Sequence, residues 1–397
     1  MKKIISILLC IAIFFSIGIT AFAEFSKPAQ DTTALVDSEK TINSYLTAKC
    51  QSVKNLQYID FSNLFNLQDK GAKSVYSYEV SRTKYAIESL KSTGDRALTS
   101  CYSINILNYS VSGSTVKITA NVSIENEYSY MPGNVQIDNN THIFTLTSKN
   151  GNMLIVNDEY TDEFRDCYNC EADLVKLVSN IPQELAAYNI KQASNKSNEK
   201  NISITRSVPG DTYVAYNRTA AANYARQYST NYNTNFISFA ASHSDCQNFV
   251  SQCVWSGFGG VNNSTSINSH AIPMISYNWY ADKTNCVSNW SYIPSFTSLI
   301  TSNYNSNGYG VRGYYENIGN VRVGDLIVDP GGGHIMIVSS ATDSNGNGVT
   351  DWSEIYICAH TNDRTDSNLR ALYGSSATPP VGMKFIGISN FLYNTGA

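Results

Sequence analysis

The sequence has no concentrated block of positive charge, and this excludes one broad class of partner. Its 397 residues include 28 Lys and Arg against 32 Asp and Glu, which gives a formal net charge of −4. Proteins that bind nucleic acid depend on clustered Lys and Arg side chains that neutralise phosphates. We therefore expect no nucleic-acid partner for this chain.

An apolar run at the beginning of the chain predicts export. Residues Ile4 to Thr20 follow the basic start Met1-Lys2-Lys3 and end at the small-x-small site Ala21-Phe22-Ala23. The run is short for a membrane span and ends in a cleavage site, so residues 1–23 have the pattern of a secretory signal peptide that is removed. We expect a secreted, extracellular protein with no stable membrane insertion after this removal, and association with the cell wall stays open.

Cysteines are present, but they impose no complete disulfide framework. The chain has nine, of which Cys10 would leave with the signal peptide. The remaining eight are Cys50, Cys101, Cys167, Cys170, Cys246, Cys253, Cys286 and Cys358. An exported chain can form disulfides. If one of the eight is a free nucleophile, however, at least one more is unpaired, and the pairing stays open.

The first half of the mature chain predicts a compact α+β domain. Apolar residues have helical spacing over residues 36–56 and 74–90, and residues 116–124 then alternate between apolar and polar, as a half-buried strand does. Asn150-Gly151 between two apolar segments is a strong hairpin signal. We predict an accessory domain over residues 24–190, whose pattern resembles the cystatin-like and SnoaL-like folds.

No catalytic constellation is apparent in this first domain. His142 alternates within a strand, which favours a surface or cross-strand position over a catalytic one. An acidic stretch that follows is most simply a solvated segment; its members are Asp158, Glu159, Asp162, Glu163 and Asp166. Pro182 is predicted to open a short helix that runs to Ile190. Residues 191–203 are predicted to be a linker, which leaves residues 204–397 for a second domain.

The stretch around Cys246 predicts a nucleophile at the start of a helix. Apolar or small residues recur from this cysteine with helical spacing, at Phe249, Val250, Cys253, Val254 and Gly257. Asp245 is a candidate N-cap, whose carboxylate would accept the amide hydrogens of the first turn. A thiol at this end of a helix lies at the positive end of the helix dipole, which favours the thiolate. Because a cysteine on an apolar helix face is more often part of the core, the assignment depends on a base elsewhere in the chain.

His334 is the candidate base. It follows the turn Asp329-Pro330-Gly331-Gly332-Gly333 and begins the apolar segment 334–339, which reads as a buried central strand. A histidine at the mouth of such a strand, beside glycines that let a substrate backbone approach, suits a general base.

A second histidine is the candidate third member of the site. If Ser340 pairs with Glu354 across the next loop, antiparallel counting places His360 opposite His334. His360 could then orient the His334 ring, as the third member of a Cys-His-polar triad does. A register shift of two residues puts Asn362 there instead, and this second choice stays open.

The loop between these strands predicts a calcium site. Residues 343–354 have oxygen ligands at loop positions 1, 3, 5, 9 and 12 and a glycine at position 6, the spacing of an EF-hand loop. The candidate ligands are Asp343, Asn345, Asn347, Asp351 and Glu354. Strands rather than helices flank the loop, so an Asn/Gly-rich hairpin turn is the alternative. We expect no cofactor to be required for catalysis, with calcium as a structural ion.

Four segments of the second half resemble a known family. Asp245-Cys246-x-Asn248-Phe249-Val250-Ser251-Gln252 and the preceding Tyr216-x-Arg218-x-x-Ala221-x-x-Tyr224-Ala225 are similar to the family called "putative amidase domain", found in secreted bacterial proteins. The Gly324-Asp325-Leu326 to His334 segment and His360-Thr361-Asn362-Asp363 fit the same family. More distantly, the pattern is similar to the NlpC-type and CHAP cell-wall amidases.

The resemblance implies a papain-like α+β fold for residues 204–397, with Cys246 as nucleophile, His334 as base and His360 in the third role. Fold class α+β, with two domains, is therefore the overall prediction. The predicted function is that of a secreted cysteine amidase or peptidase that hydrolyses a peptide or peptidoglycan-type amide. Two alternatives remain open: a non-catalytic surface-binding or adhesion module on a degenerate hydrolase scaffold, and an acyl transferase.

Overall fold

The computed structural model of the protein describes most of the chain beyond its N-terminal segment. It covers residues 29–195, 209–242, 244–260, 266–267 and 272–394. The predicted signal peptide and most of the predicted linker lie outside these residues. Helices and antiparallel sheets occur together in two domains, which confirms the predicted α+β class. No helix among the described residues is both long and apolar enough to cross a membrane.

The N-terminal domain packs long helices against a four-stranded antiparallel sheet. Its elements are α1 (Ala29–Asn55), α2 (Lys70–Thr93), β1 (Ala97–Ser112), β2 (Thr115–Tyr128), β3 (Val135–Lys149), β4 (Asn152–Glu159), α3 (Glu163–Cys167) and α4 (Glu171–Asn195). The strands follow one another in the order β1-β2-β3-β4. The predicted hairpin is present: Asn150 and Gly151 join β3 to β4 and have φ values of 51° and 79°, as a tight hairpin turn requires.

The structure corrects two predictions for this domain, one about a helix and one about a residue of the sheet. Pro182 does not open a helix; it lies inside α4, which continues to Asn195 and so into the predicted linker. His142 is only 3% exposed, and its Nδ1 lies 2.7 Å from Oδ1 of Asp158 on the adjacent strand β4. The cross-strand alternative for this histidine is therefore right and the surface alternative wrong.

The acidic stretch is a solvated segment only in part, since Glu159 and Asp166 are exposed but the other three carboxylates are buried. Asp158, Asp162 and Glu163 are 1%, 4% and 3% exposed. Burial is tolerated because cations accompany the charges: Arg82 lies 2.8 Å from Asp162, and Arg364 of the C-terminal domain lies 2.9 Å from Glu163. These carboxylates thus belong to the interior of the molecule and to its domain interface.

The C-terminal domain is built around an antiparallel sheet with helices packed against it. Its elements are β5 (Asp211–Ala215), α5 (Arg218–Tyr228), α6 (Cys246–Gly257), β6 (Ser266–Ile267), β7 (Ile272–Pro273), α7 (Ser288–Ser291), α8 (Ile293–Ser306), β8 (Gly310–Glu316), β9 (Leu326–Val328), β10 (Ile335–Ala341), β11 (Ile355–Ala359), β12 (Arg364–Asn368), α9 (Leu369–Leu372) and β13 (Lys384–Asn394). The sheet order is β12-β11-β10-β9-β13-β5, and β8 also pairs with β13. The central position of β10 confirms the buried central strand predicted after the glycine turn.

The two faces of β10 belong to two different cores. Ile335 and Ile337 lie in the core that contains Cys246. Met336 lies in a second core, against which Cys167 of the N-terminal domain packs. This division follows from the alternation of side chains along a strand. The strand therefore separates the cysteine helix from the N-terminal domain.

The predicted pairing of β10 with β11 is wrong by one to two residues. Ser340 lies opposite Tyr356, not Glu354, and a bulge separates this pair from the pair Ile337–Cys358. When the pairing is extended towards the start of β10, His360 falls level with Ile335. Because successive side chains of a strand point to opposite faces, the argument that placed His360 opposite His334 fails.

The segment between β11 and β13 docks onto the N-terminal domain. Arg370 donates to Asp95 Oδ2 at 2.8 Å, and its guanidinium lies 4.0 Å from the ring centre of Tyr130. The backbone N–H of Asn368 donates to Gln136 Oε1 at 2.8 Å. These contacts hold the N-terminal domain against the side of the sheet on which Met336 lies.

Candidate active site

Cys246 is the first residue of α6, as predicted, but Asp245 does not cap the helix. Asp245 occupies the N-cap position without a side-chain capping bond. Its Oδ1 accepts the backbone N–H of Phe239 at 2.7 Å and Nδ2 of Asn248 at 2.9 Å, and its Oδ2 lies 2.7 Å from Nδ1 of His360. This carboxylate, which is 1% exposed, therefore joins the preceding loop, the cysteine helix and the end of β11.

The glycine turn holds His334 at the mouth of β10. The backbone N–H of His334 donates to Asp329 Oδ1, and its carbonyl accepts the N–H of Asp329, both at 3.1 Å. Gly332 within this turn has φ +70°, which favours glycine. Both candidate residues are buried, since Cys246 is 5% and His334 7% exposed.

The thiol and the imidazole form a charge-coupled pair. Burial acts to raise the pKa of Cys246, but the hydrogen bond and charge of His334 outweigh it, so the pKa lies below its ordinary value. Burial acts to lower the pKa of His334, but Cys246, Glu163 and Asp329 together raise it above its ordinary value. The signs of both shifts are those of a thiolate–imidazolium pair, the reactive form of a cysteine nucleophile.

Among the described residues, no third side chain forms a hydrogen bond with Nε2 of His334, although this nitrogen is buried. Asn362 lies half-buried in the turn after β11. The structure thus brings Cys246 and His334 together and, among the residues it describes, places no hydrogen-bonding side chain at the third position.

His360 is placed elsewhere. Its Nδ1 pairs with Asp245 at 2.7 Å and its Nε2 with the carbonyl oxygen of Tyr228 at 2.6 Å. The ring stacks on Phe249 of the cysteine helix, with 4.0 Å between ring centres. Because both nitrogens have these partners, His360 anchors the start of α6 and does not hold the ring of His334.

The other residues that carried the resemblance anchor the site's framework. Arg218 donates to the Asp325 carboxylate and, at 2.9 Å, to the carbonyl of Ile388, which ties α5 to the strand ends beside β10. Tyr216 donates to the carbonyl of Gly324 at 2.9 Å. Gly324 has φ +83°, and a Cβ there would lie 3.2 Å from Cα of Arg218, so this close approach requires glycine.

The five predicted calcium ligands lie in one loop and bond to one another or to its backbone. Asp343 Oδ1 accepts the N–H of Asn347, while the amide nitrogens of Asn345 and Asn347 both donate to Asp351 Oδ2. Glu354 Oε2 accepts the N–H of Asp351 at 2.9 Å. In the described ranges no group of three or more His, Cys, Asp or Glu could hold a metal ion. Two of the five predicted ligands are asparagines, which do not belong to those four residue types, so calcium binding stays a prediction.

Sequence reasoning missed the acidic groups that the N-terminal domain brings to His334. Glu163 and Asp166, at the two ends of one turn of α3, both interact with this histidine through their charges. The only signal was the acidic composition of the stretch. Nothing local in the sequence indicates that Glu163 of the first domain pairs with Arg364 of the second.

Comparison with known proteins supports the assignment of the C-terminal half. Residues 215–381 match a family model described as a putative amidase domain. The search of curated proteins and the search of solved structures gave no match. The family recognised from the sequence motifs is thereby confirmed for this half, and the match indicates an amide-hydrolysing function.

Proposed function

We propose that the C-terminal domain is a cysteine-dependent amide hydrolase, with Cys246 as nucleophile and His334 as general base and acid. One observation carries this proposal: a thiol at the first residue of a helix is coupled to an imidazole, and the pKa of each is shifted towards its charged form. The amidase family match supports it independently. The same arrangement is expected of a papain-like cysteine hydrolase.

The chemistry follows from this pair. The Cys246 thiolate attacks the carbonyl carbon of the amide, and the His334 imidazolium gives its proton to the departing amine, which leaves a thioester. His334 then takes a proton from water, whose oxygen attacks the thioester and releases the acid. The backbone N–H of Cys246 is our proposed oxyanion donor, since amides of the first helical turn have no acceptor within the helix.

The substrate class and the location are proposed from the sequence. An apolar N-terminal run with a cleavage site supports action outside the cell. The distant similarity to cell-wall amidases supports a peptide or peptidoglycan-type amide. The N-terminal domain is then an accessory domain docked against the catalytic one.

Labelling with a thiol electrophile tests the nucleophile. Iodoacetamide at neutral pH should label Cys246 of the wild-type protein selectively, and labelling at this position should be lost in Cys246→Ala and strongly slowed in His334→Ala. Cys286→Ala is the matched control, because that half-buried thiol lies outside the site. Equal labelling of all four proteins would contradict the proposal and favour a non-catalytic binding module.

Product analysis tests the reaction. Purified peptidoglycan incubated with the wild-type protein, but not with Cys246→Ala, should release new amino groups. Repeating the reaction with an added primary amine distinguishes hydrolysis from acyl transfer, since transfer would yield a new amide in place of the acid. Peptidoglycan that stays intact, although Cys246 is selectively labelled, would exclude this substrate class.

A further inference from the structure

Thr361 has a backbone conformation that threonine rarely adopts. It lies in the turn 360–363 between β11 and β12, and its φ is +80°. Of the described non-glycine residues with a positive φ, it is the only β-branched one, and a branched side chain is crowded in this region. Asn362 directly after it is a residue type that tolerates positive φ, yet its own φ is not positive. The turn therefore places the strain on the less suited residue.

Contacts of His360 hold this turn in place. Nδ1 of His360 pairs with Asp245 at 2.7 Å, and its Nε2 pairs with the carbonyl oxygen of Tyr228 at 2.6 Å. The ring also lies against Phe249, with 4.0 Å between ring centres. Strained backbone persists where the surrounding structure fixes it in this way. The residue that follows His360 is therefore held in a conformation that it would not adopt by itself.

The strained residue accepts a hydrogen bond from the start of the cysteine helix. Thr361 Oγ1 accepts the backbone N–H of Asp245, the residue before Cys246, at 3.0 Å. The carbonyl of Asp245 accepts the N–H of Phe249 at 2.9 Å. Both backbone polar groups of Asp245 are thus bonded, one to the turn and one to α6.

These two bonds fix the direction of the next amide. Asp245 has φ −90° and ψ −2°, whereas an N-cap residue typically has an extended backbone. Rotation about ψ of Asp245 turns the peptide group that carries the N–H of Cys246. The hydroxyl of Thr361 therefore helps to set where this N–H points.

We propose that Thr361 is a positioning residue of the active site, whose hydroxyl fixes the Asp245 backbone so that the Cys246 N–H faces the oxyanion of the tetrahedral intermediate. This inference rests on the proposed function, in which that N–H is the oxyanion donor. The role is indirect, since Thr361 acts through Asp245. It also accounts for the strain, because glycine would adopt this φ freely but would leave the Asp245 N–H without its acceptor.

Two small thiol reagents distinguish positioning of the oxyanion donor from reactivity of the thiol. With p-nitrophenyl acetate, the Cys246 sulfur bonds to the acetyl carbon, the carbonyl oxygen becomes an oxyanion, and p-nitrophenolate leaves with its bonding electrons as the thioester forms. With iodoacetamide, the same sulfur displaces iodide and no oxyanion forms. Only the first reaction therefore depends on the direction of the Cys246 N–H.

Thr361→Val removes the hydroxyl and keeps the branched shape. We expect first-turnover release of p-nitrophenolate at neutral pH to fall about tenfold or more, while alkylation of Cys246 should stay within about twofold, because alkylation needs no oxyanion donor. The release that remains in a Cys246→Ala background is subtracted. An equal slowing of both reactions would show a structural role only and overturn the proposal, and so would release at the wild-type rate.

Thr361→Ser is the matched control. It keeps the hydroxyl, so its release of p-nitrophenolate should stay close to that of the wild type, and a serine variant as slow as Thr361→Val would contradict the role of the hydroxyl. Should Thr361→Val fail to fold, Thr361→Gly removes the same hydroxyl without backbone strain. It should show the same selective slowing, and its absence refutes the inference.

The wild-type protein separates this inference from the proposed function. Wild-type protein that releases no more p-nitrophenolate than Cys246→Ala would remove the proposed function. A normal wild-type reaction with an unaffected Thr361→Val would remove only the role of Thr361.

Discussion

Replacing Asp245 with alanine should destabilise the C-terminal domain by about 3–5 kcal/mol. The carboxylate is 1% exposed and is the acceptor for three donors: the N–H of Phe239 at 2.7 Å, Nδ2 of Asn248 at 2.9 Å and the Nδ1–H of His360 at 2.7 Å. Each buried donor left without an acceptor costs about 1–3 kcal/mol. We expect the lower part of the summed range, because water can enter the space that the carboxylate leaves.

The four tryptophans make this domain easy to follow separately. Trp255, Trp279, Trp290 and Trp352 all lie in the C-terminal domain, so tryptophan fluorescence during urea unfolding reports on it alone. The matched control is Asp366→Asn, which removes the charge of an exposed pair with Arg226, keeps a residue type that tolerates the φ of 47° at this position, and should cost about 0–1 kcal/mol. A loss in Asp245→Ala no larger than that of this control would refute the view that Asp245 holds the start of the cysteine helix.

Three further predictions concern pH and calcium. His334→Gln should move the alkylation profile of Cys246 to higher pH, because His334 lowers the pKa of this thiol and burial alone would raise it; an unchanged profile would contradict the pairing. Burial acts to raise the pKa of Glu79, but Lys49 at 2.6 Å outweighs this effect and the pKa is lowered. The pair therefore stabilises the protein at pH values above the unfolded-state pKa of about 4.3. This stabilisation is lost as the pH falls through the lower pKa of the folded state. Urea midpoints followed by far-UV circular dichroism should therefore differ less between pH 7 and pH 3 in Glu79→Gln than in the wild type. Millimolar calcium should raise the melting temperature over chelator by about 2–4 °C for each kcal/mol of binding, while Glu354→Gln should lose the effect; no shift in the wild type would leave only a hairpin turn.

Local patterns were enough to locate the candidate pair of Cys246 and His334. The helical spacing after Cys246 and the glycine turn before His334 are properties of neighbouring residues. The helix begins at Cys246 as predicted, and β10 begins at Ile335, one residue later than predicted. Apolar residues on both faces of β10 likewise predicted a strand buried on both sides. Such features depend on backbone periodicity and turn chemistry, and the residues of one short segment determine both.

The third position of the site could not be found in this way. Its prediction depended on pairing Ser340 with Glu354 across the loop between β10 and β11, but Ser340 pairs with Tyr356, and a bulge between Val338 and Ser340 then shifts the register by one residue. A bulge adds one residue to one strand, and nothing in the residues around it indicates its presence. His360 therefore does not lie beside His334 as predicted and forms a hydrogen bond with Asp245 instead.

The sequence by itself determined that Cys246 lies at the start of a helix and that His334 lies at the end of a strand, since each feature requires only a few adjacent residues. The tertiary structure alone decided that Glu163 is buried at 3% exposure against Arg364, two hundred residues later in the chain. The physical reason is that burial and charge pairing depend on which distant surfaces dock. A carboxylate that appears solvated within its own segment becomes an interior charge once a second domain covers it and supplies the cation.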